Sequence, residues 1–129
     1  MKLEVEAHIK RAERSLKSAV YLLEKGMYED AASRAYYSMF HAAKAVLASV
    51  EEHPKTHEGV VRMFGKNFVK TGIFPAEMGK ILVLAKGLRE KADYEPRIIV
   101  RKEHVEDIIG KATDFSKAIN EHLRGVGGA

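Results

Sequence analysis

The chain contains no cysteine, which removes disulfides, thiolate metal sites and cysteine nucleophiles together. Tryptophan and glutamine are also missing, and asparagine occurs only at Asn67 and Asn120. That depletion, set beside many Lys, Glu and Arg residues, is the pattern of a thermophilic source. Strand signals are almost absent. Only Arg97-Ile98-Ile99-Val100 reads as locally extended, after Pro96, which disfavours helix in its predecessor. No apolar run approaches the length of a membrane span. The opening residues, Met1-Lys2-Leu3-Glu4-Val5-Glu6, are acidic where a secretory signal needs an apolar core, so a cytoplasmic location without membrane contact is expected. The charge is not extreme either. A net charge of +4 and a pI near 9.3 permit an anionic partner without requiring one.

Hydrophobic residues make up 46% of the 129 residues and charged residues 31%, the balance of a globular protein with one core. A chain of this size buries roughly two-thirds of its unfolded surface. Periodicity predicts helices at residues 3–25, 28–52, 56–70, 75–92 and 102–123. Ile9, Ala12, Leu16, Ala19 and Leu23 line one face of the first, and Gly26 closes it. Pro54 ends the second. Thr56 is a candidate N-cap for the third, which Gly65 is expected to break in two. Pro75 suits the first position of the fourth. Val105, Ile108, Ile109, Ala112, Phe115 and Ile119 repeat at helical spacing in the last. The expected architecture is all-α: an antiparallel up-and-down bundle of four long helices plus one short helix. One domain is expected over residues 1–124, with a frayed tail at 125–129.

The second helix is the unusual one. At about 100° per residue, Ala35, Met39, Ala42 and Val46 form one apolar stripe, and Tyr36, Phe40, Ala43 and Leu47 another. Such a helix should be buried on more than one side. Arg34, Ser38 and His41 nevertheless share a face at its margin, with Tyr37 close to it. Those residues need partners, water or a ligand. They read either as a satisfied polar seam or as a site for an anionic ligand or RNA.

Three stretches are similar to the HEPN family. They are Asp30-Ala31-Ala32-Ser33-Arg34-Ala35-Tyr36-Tyr37-Ser38-Met39-Phe40-His41-Ala42-Ala43-Lys44-Ala45, then Lys55-Thr56-His57-Glu58-Gly59-Val60 with the glycines that follow, and Leu88-Arg89-Glu90-Lys91-Ala92-Asp93-Tyr94. The resemblance implies a helical bundle that commonly dimerises and is often encoded beside a small nucleotidyltransferase. It also implies that some members are metal-independent ribonucleases or toxins of toxin–antitoxin pairs. The family's usual signature is an arginine followed four to six residues later by a histidine. Here Arg89 and Tyr94 stand in the matching place, with Asp93 where the histidine would be.

The expected function is therefore a HEPN-type binding module, a homodimer working with a small nucleotidyltransferase or binding a nucleotide or RNA. A metal-independent ribonuclease and a purely structural interaction bundle are the alternatives. Candidate ligand-binding residues are Arg34, Tyr37, Ser38, His41, Lys55 and His57. Catalytic candidates are Arg89, Asp93, Tyr94, Arg97 and His104. In RNA cleavage a histidine can move the 2′-hydroxyl proton while an arginine stabilises charge at phosphorus. A basic set, including Lys55, Arg62, Lys86, Arg89, Arg97 and Arg101, would make a positive groove if it converged. No metal site and no cofactor are expected. His53 and His57 have a helical metal-ligand spacing, but Pro54 interrupts it and no carboxylate pattern completes it. The homodimer is expected through the second helix, whose two apolar stripes look too wide for a small bundle to cover.

Overall fold

The computed structural model describes residues 2–127, and all of their regular structure is helical. Five helices form an all-α bundle: α1 (Leu3–Glu24), α2 (Tyr28–Ala48), α3 (His57–Phe64), α4 (Ala76–Tyr94) and α5 (Lys102–Gly127). A π-helical turn, Gly65–Val69, extends α3. α2 is the axis of the bundle. α1 lies along it most closely, α4 and α5 pack on its other sides, and the start of α3 packs against its middle.

Local chemistry sets the helix ends. Gly26, at φ 76°, closes α1 in the left-handed conformation, with the Met27 amide bonded back to the Leu22 carbonyl at 2.9 Å. α2 stops at Ala48, four residues before the predicted end, because Glu51 takes φ 62° and the Glu52 amide turns back to the Leu47 carbonyl. The Glu51 carboxylate pairs there with Lys2. Thr56 caps α3, its hydroxyl accepting from the Gly59 amide at 2.9 Å. A Cβ on Gly59 would fall 2.9 Å from that hydroxyl, so the cap itself requires glycine. Pro75 is the N-cap of α4, one position before its first helical residue.

Gly65 does not break the third helix. Its φ and ψ stay helical, and the Lys70 amide bonds to the Gly65 carbonyl five residues back at 2.9 Å. The widened turn brings Phe68 beside Phe64, and both meet Phe74. Phe115 of α5 reaches the Phe64 ring with centroids 5.3 Å apart. α5 also runs past its predicted end at Leu123, since Leu123 is buried and anchors one further turn. Of the predicted tail, residues 128 and 129 lie outside the described residues, as does Met1.

The dimer argument drawn from α2 does not survive the packing. Tyr36 is fully buried and Phe40 nearly so, both covered by the chain's own helices, while Tyr37 and Tyr28 are half-buried. Only Met27, 47% exposed, remains of the surplus. Small alanines let α1, α4 and α5 come close enough to enclose the helix, which a count of apolar residues does not reveal.

The Phe64 ring ties α3, the π-turn and α5 together. Phe64→Ala should destabilise the fold by about 3–5 kcal/mol, read as a lowered urea midpoint. A loss under about 1 kcal/mol would mean that the ring does not pack in the shared core.

Candidate functional site

Two polar stripes meet along the edge where α1 lies on α2. Arg11, Arg14, Ser15 and Ser18 follow helical spacing on α1, and Arg34, Tyr37 and His41 do so on α2. They line a cleft of about 340 Å³ in which no carboxylate takes part. Among the described residues none of the three arginines has an ion-pair partner. Their guanidiniums carry fifteen N–H donors between them, five each. Such a cleft favours an anion with several acceptor oxygens.

Tyr37 forms the shared wall between this cleft and α4. Arg34 lies over its ring, 4.9 Å from the centroid. Its hydroxyl accepts a hydrogen bond from Arg89 Nη2 at 2.9 Å. The Arg89 Nε lies 3.3 Å from Asp93 Oδ2, close enough for an ion pair but off the hydrogen-bond axis. Asp93 also accepts from the Ser33 hydroxyl at 3.4 Å. Arg89 and Asp93 thus fasten α4 to the first half of α2.

A second fastening ties α3 to its neighbours. The Tyr36 hydroxyl and His57 Nδ1 are 2.6 Å apart, and the His57 ring stacks on Phe40 at 4.4 Å. Burial pushes the Tyr36 phenol well above its usual range. Burial, and then the Arg89 charge, lower His57. The contact is therefore between two neutral groups. Lys86 bridges Glu58 of α3 and Glu90 of α4.

At the far end of the cleft His8 and His41 stack, with Nδ1 atoms 3.2 Å apart. One nitrogen must donate and the other accept, so the pair forms only when at least one ring is neutral. Burial lowers both. His41 is pushed down to about 4, by burial first and then by His8, Arg11, Lys44 and Arg34.

The sequence matches the family described as HEPN domain over residues 5–122. The chain belongs to the HEPN family. It is 38% identical over 122 residues to a Methanocaldococcus jannaschii protein named "Putative toxin", covering 95% of this chain and 83% of that one. A second protein of that name from the same organism is 40% identical over 121 residues, covering 94% and 90%. A Thermotoga maritima protein named UPF0332 is 32% identical over 117 residues, covering 91% and 89%.

Within this HEPN bundle the residues singled out from sequence, Ser38 apart, fall into three groups. Arg34, Tyr37 and His41 face one cleft, as expected. Arg89, Asp93 and His57 lie in the fastenings around it, and Asp93 and Tyr94 belong to α4 rather than to the loop after it. Lys55, Arg97, His104 and Tyr94 are exposed and line no part of the cleft, Tyr94 to 75%. Ser38 is a correction. Its hydroxyl is fully buried and donates to the Ala12 carbonyl of α1 at 2.9 Å, so it holds the two helices together and does not face a ligand. Of the basic set that would make a groove if it converged, Lys86 and Arg89 are already engaged by Glu58, Glu90, Tyr37 and Asp93. Sequence reasoning missed Arg11, Arg14, Ser15 and Ser18. Their regular spacing was the available signal.

The histidine pair makes stability depend on pH. The unfolded chain takes up these protons near pH 6.5, whereas folded His41 does so only near pH 4. Stability is therefore complete above about pH 6.5 and lost as the pH falls towards about 4. Thermal melts across that range should show the loss in the wild type and a flatter profile in His41→Gln. Identical slopes for the two proteins would contradict it.

Proposed function

We propose that this chain is a toxin-type HEPN module of the cytoplasm whose α1–α2 cleft binds the phosphate of a nucleotide or of an RNA strand. One observation carries this: Arg11, Arg14 and Arg34, without an ion-pair partner among the described residues, converge on a cleft lined by two serines and no acidic residue. Tyr36 and Phe40 are buried, and the half-buried Tyr37 ring on the cleft wall is covered by Arg34. Recognition is therefore directed at phosphate, and little preference for base identity follows. The word toxin in the relatives' names supports a two-protein system. In that system a small nucleotidyltransferase is the second protein, and the HEPN chain also associates with itself.

A second reading, metal-independent cleavage of the bound RNA, is favoured by His41. It is a neutral imidazole in a cleft of arginines. It would take the 2′-hydroxyl proton as the 2′-oxygen attacks phosphorus, while an arginine steadies the phosphorane charge. The 5′-oxygen leaves and takes a proton from water. Cleavage that persists in chelator and disappears in both His41→Ala and Arg34→Ala would establish it. Loss in Arg89→Ala alone would place the chemistry elsewhere.

Binding is tested by fluorescence anisotropy with a labelled single-stranded RNA. Arg11→Ala, Arg14→Ala and Arg34→Ala should each weaken binding about tenfold or more. Each should also lower the slope of log affinity against log salt by about 1. Arg97→Ala should change neither much. Wild-type affinity in all three cleft variants would overturn the proposal.

A further inference from the structure

The α1–α2 cleft ends at two histidines that link the helices. His8 of α1 and His41 of α2 are both half-buried, their rings stacked at 23° and their Nδ1 atoms 3.2 Å apart. A contact between two imidazole nitrogens has three protonation states. With both rings neutral, one donates and the other accepts. With one added proton, an imidazolium donates to a neutral ring, and its charge strengthens the contact. With two, both nitrogens carry hydrogen and the contact is lost. The pair can therefore hold one proton without any change of structure.

Its surroundings decide whether it does. Burial disfavours an imidazolium at both rings. On α1, Arg11 acts on both rings and Glu4 on His8. On α2, Lys44 acts on both rings and Arg34 on His41. His53, in the segment after α2, acts on His8. Glu4 is the acidic group of this set, and it is shared with His53 at 3.6 Å. Arg11, Arg34 and Lys44 thus all oppose a proton on the pair. Two of them, Arg11 and Arg34, also line the cleft. An anion bound between those two would offset the charge that keeps the proton away.

We propose that binding of an anion in the α1–α2 cleft is coupled to uptake of one proton by the His8–His41 pair, which then serves as a further cation of the site. This rests on the phosphate reading of the cleft and adds a control by pH. The proton comes from solvent and is held between the two Nδ1 atoms, with no covalent bond between heavy atoms made or broken. Such coupling is reciprocal, so acid raises affinity for the anion by the factor by which the anion raises affinity for the proton. Affinity is flat above the pKa of the pair in the complex. It rises as the pH falls through that value and levels off below the value of the free protein, which for His41 is about 4. The bound anion therefore also protects the fold against acid. A pair holding its proton cannot take another from a 2′-hydroxyl, so cleavage by His41 belongs to the higher pH.

A labelled oligouridylate with hydroxyl ends is the probe, since neither its bases nor its phosphodiesters titrate near neutral pH. Its affinity for the full chain, read by fluorescence anisotropy at fixed salt, should rise at least about threefold from about pH 7.5 to about pH 5.5. Circular dichroism should show the protein folded at both. Calorimetry in two buffers of different ionisation enthalpy should register the proton taken up. His8→Gln should flatten the profile, whereas His104→Gln, at the exposed start of α5, should leave it as in the wild type. If His8→Gln does not fold, histidine ring NMR of the wild type decides. Saturating RNA should raise the His41 pKa by about one unit or more, without moving the titration of His104. Equal affinity at both pH values, an unmoved His41 titration, or a full rise in folded His8→Gln would overturn the coupling and leave the cleft a phosphate site. No binding at any pH would overturn the phosphate reading itself, and the coupling with it.

Discussion

Alanines bring α1 and α2 so close that the Ser38 hydroxyl of one reaches a main-chain carbonyl of the other, and most of the molecule depends on that approach. Ala12 and Ala19 on α1, with Ala31, Ala35 and Ala42 on α2, are all essentially inaccessible to solvent. Small side chains leave little between the two backbones, so polar residues flanking the contact are drawn together at its edge. Arg11 and Arg14 come from one helix and Arg34 from the other. Only the closeness of the helices makes them neighbours. Larger residues in the seam would force the helices apart, because an interior packed this densely does not absorb added volume. The arginines would then be three separate solvated side chains.

That geometry explains which parts were legible in the sequence. Helical periodicity is a property of one segment at a time, so five helices and an all-α bundle follow from it directly. The Thr56 cap and the Gly26 terminus are equally local, and both read correctly. The π-turn after Phe64 was not legible, since Gly65 looks like a breaker until Phe68, Phe74 and Phe115 supply a common core for the widened turn to serve. The site divides along the same line. Arg34 and His41 sit on a helix so apolar that any charge stands out. Arg11 and Arg14 sit on an ordinary amphipathic helix, where arginines on the polar face are unremarkable until a partner helix is laid against them. Ser38 failed for a related reason. A shared face with Arg34 and His41 says nothing about which side of that face α1 covers.

The apolar surplus of α2 shows how a correct observation can support a wrong surface. The helix is apolar over most of its circumference, and its apolar stripes are indeed buried, but by its own chain. Closing α1, α3, α4 and α5 around one axial helix leaves the ring of outer helices loosely packed where α4 meets α5. The exposed hydrophobic area is thereby displaced from the most hydrophobic helix to the gap between two less hydrophobic ones, with Leu84 and Val83 in water while Tyr36 is dry. A loosely closed bundle carries its sticky face at the seam.

Two arginines act on Tyr37 in different capacities, and the difference decides which of them is free to meet an anion. Arg89 has only 16% of its side chain exposed, donates to the Tyr37 hydroxyl and pairs with Asp93. Its charge is neutralised at close range, and releasing it would leave the Asp93 carboxylate without its ion-pair partner and the Tyr37 hydroxyl without its donor. A guanidinium so engaged serves position rather than capture of a phosphate. Arg34 is exposed and held only by the face of the Tyr37 ring. It can turn from the ring towards an anion at little loss, since a cation–π contact at a solvated site is worth about 0.5–1 kcal/mol. The ring keeps its place meanwhile because Arg89 holds its hydroxyl. Arg89 is thus a brace for the cleft wall, and the free charges are those of α1 and the start of α2.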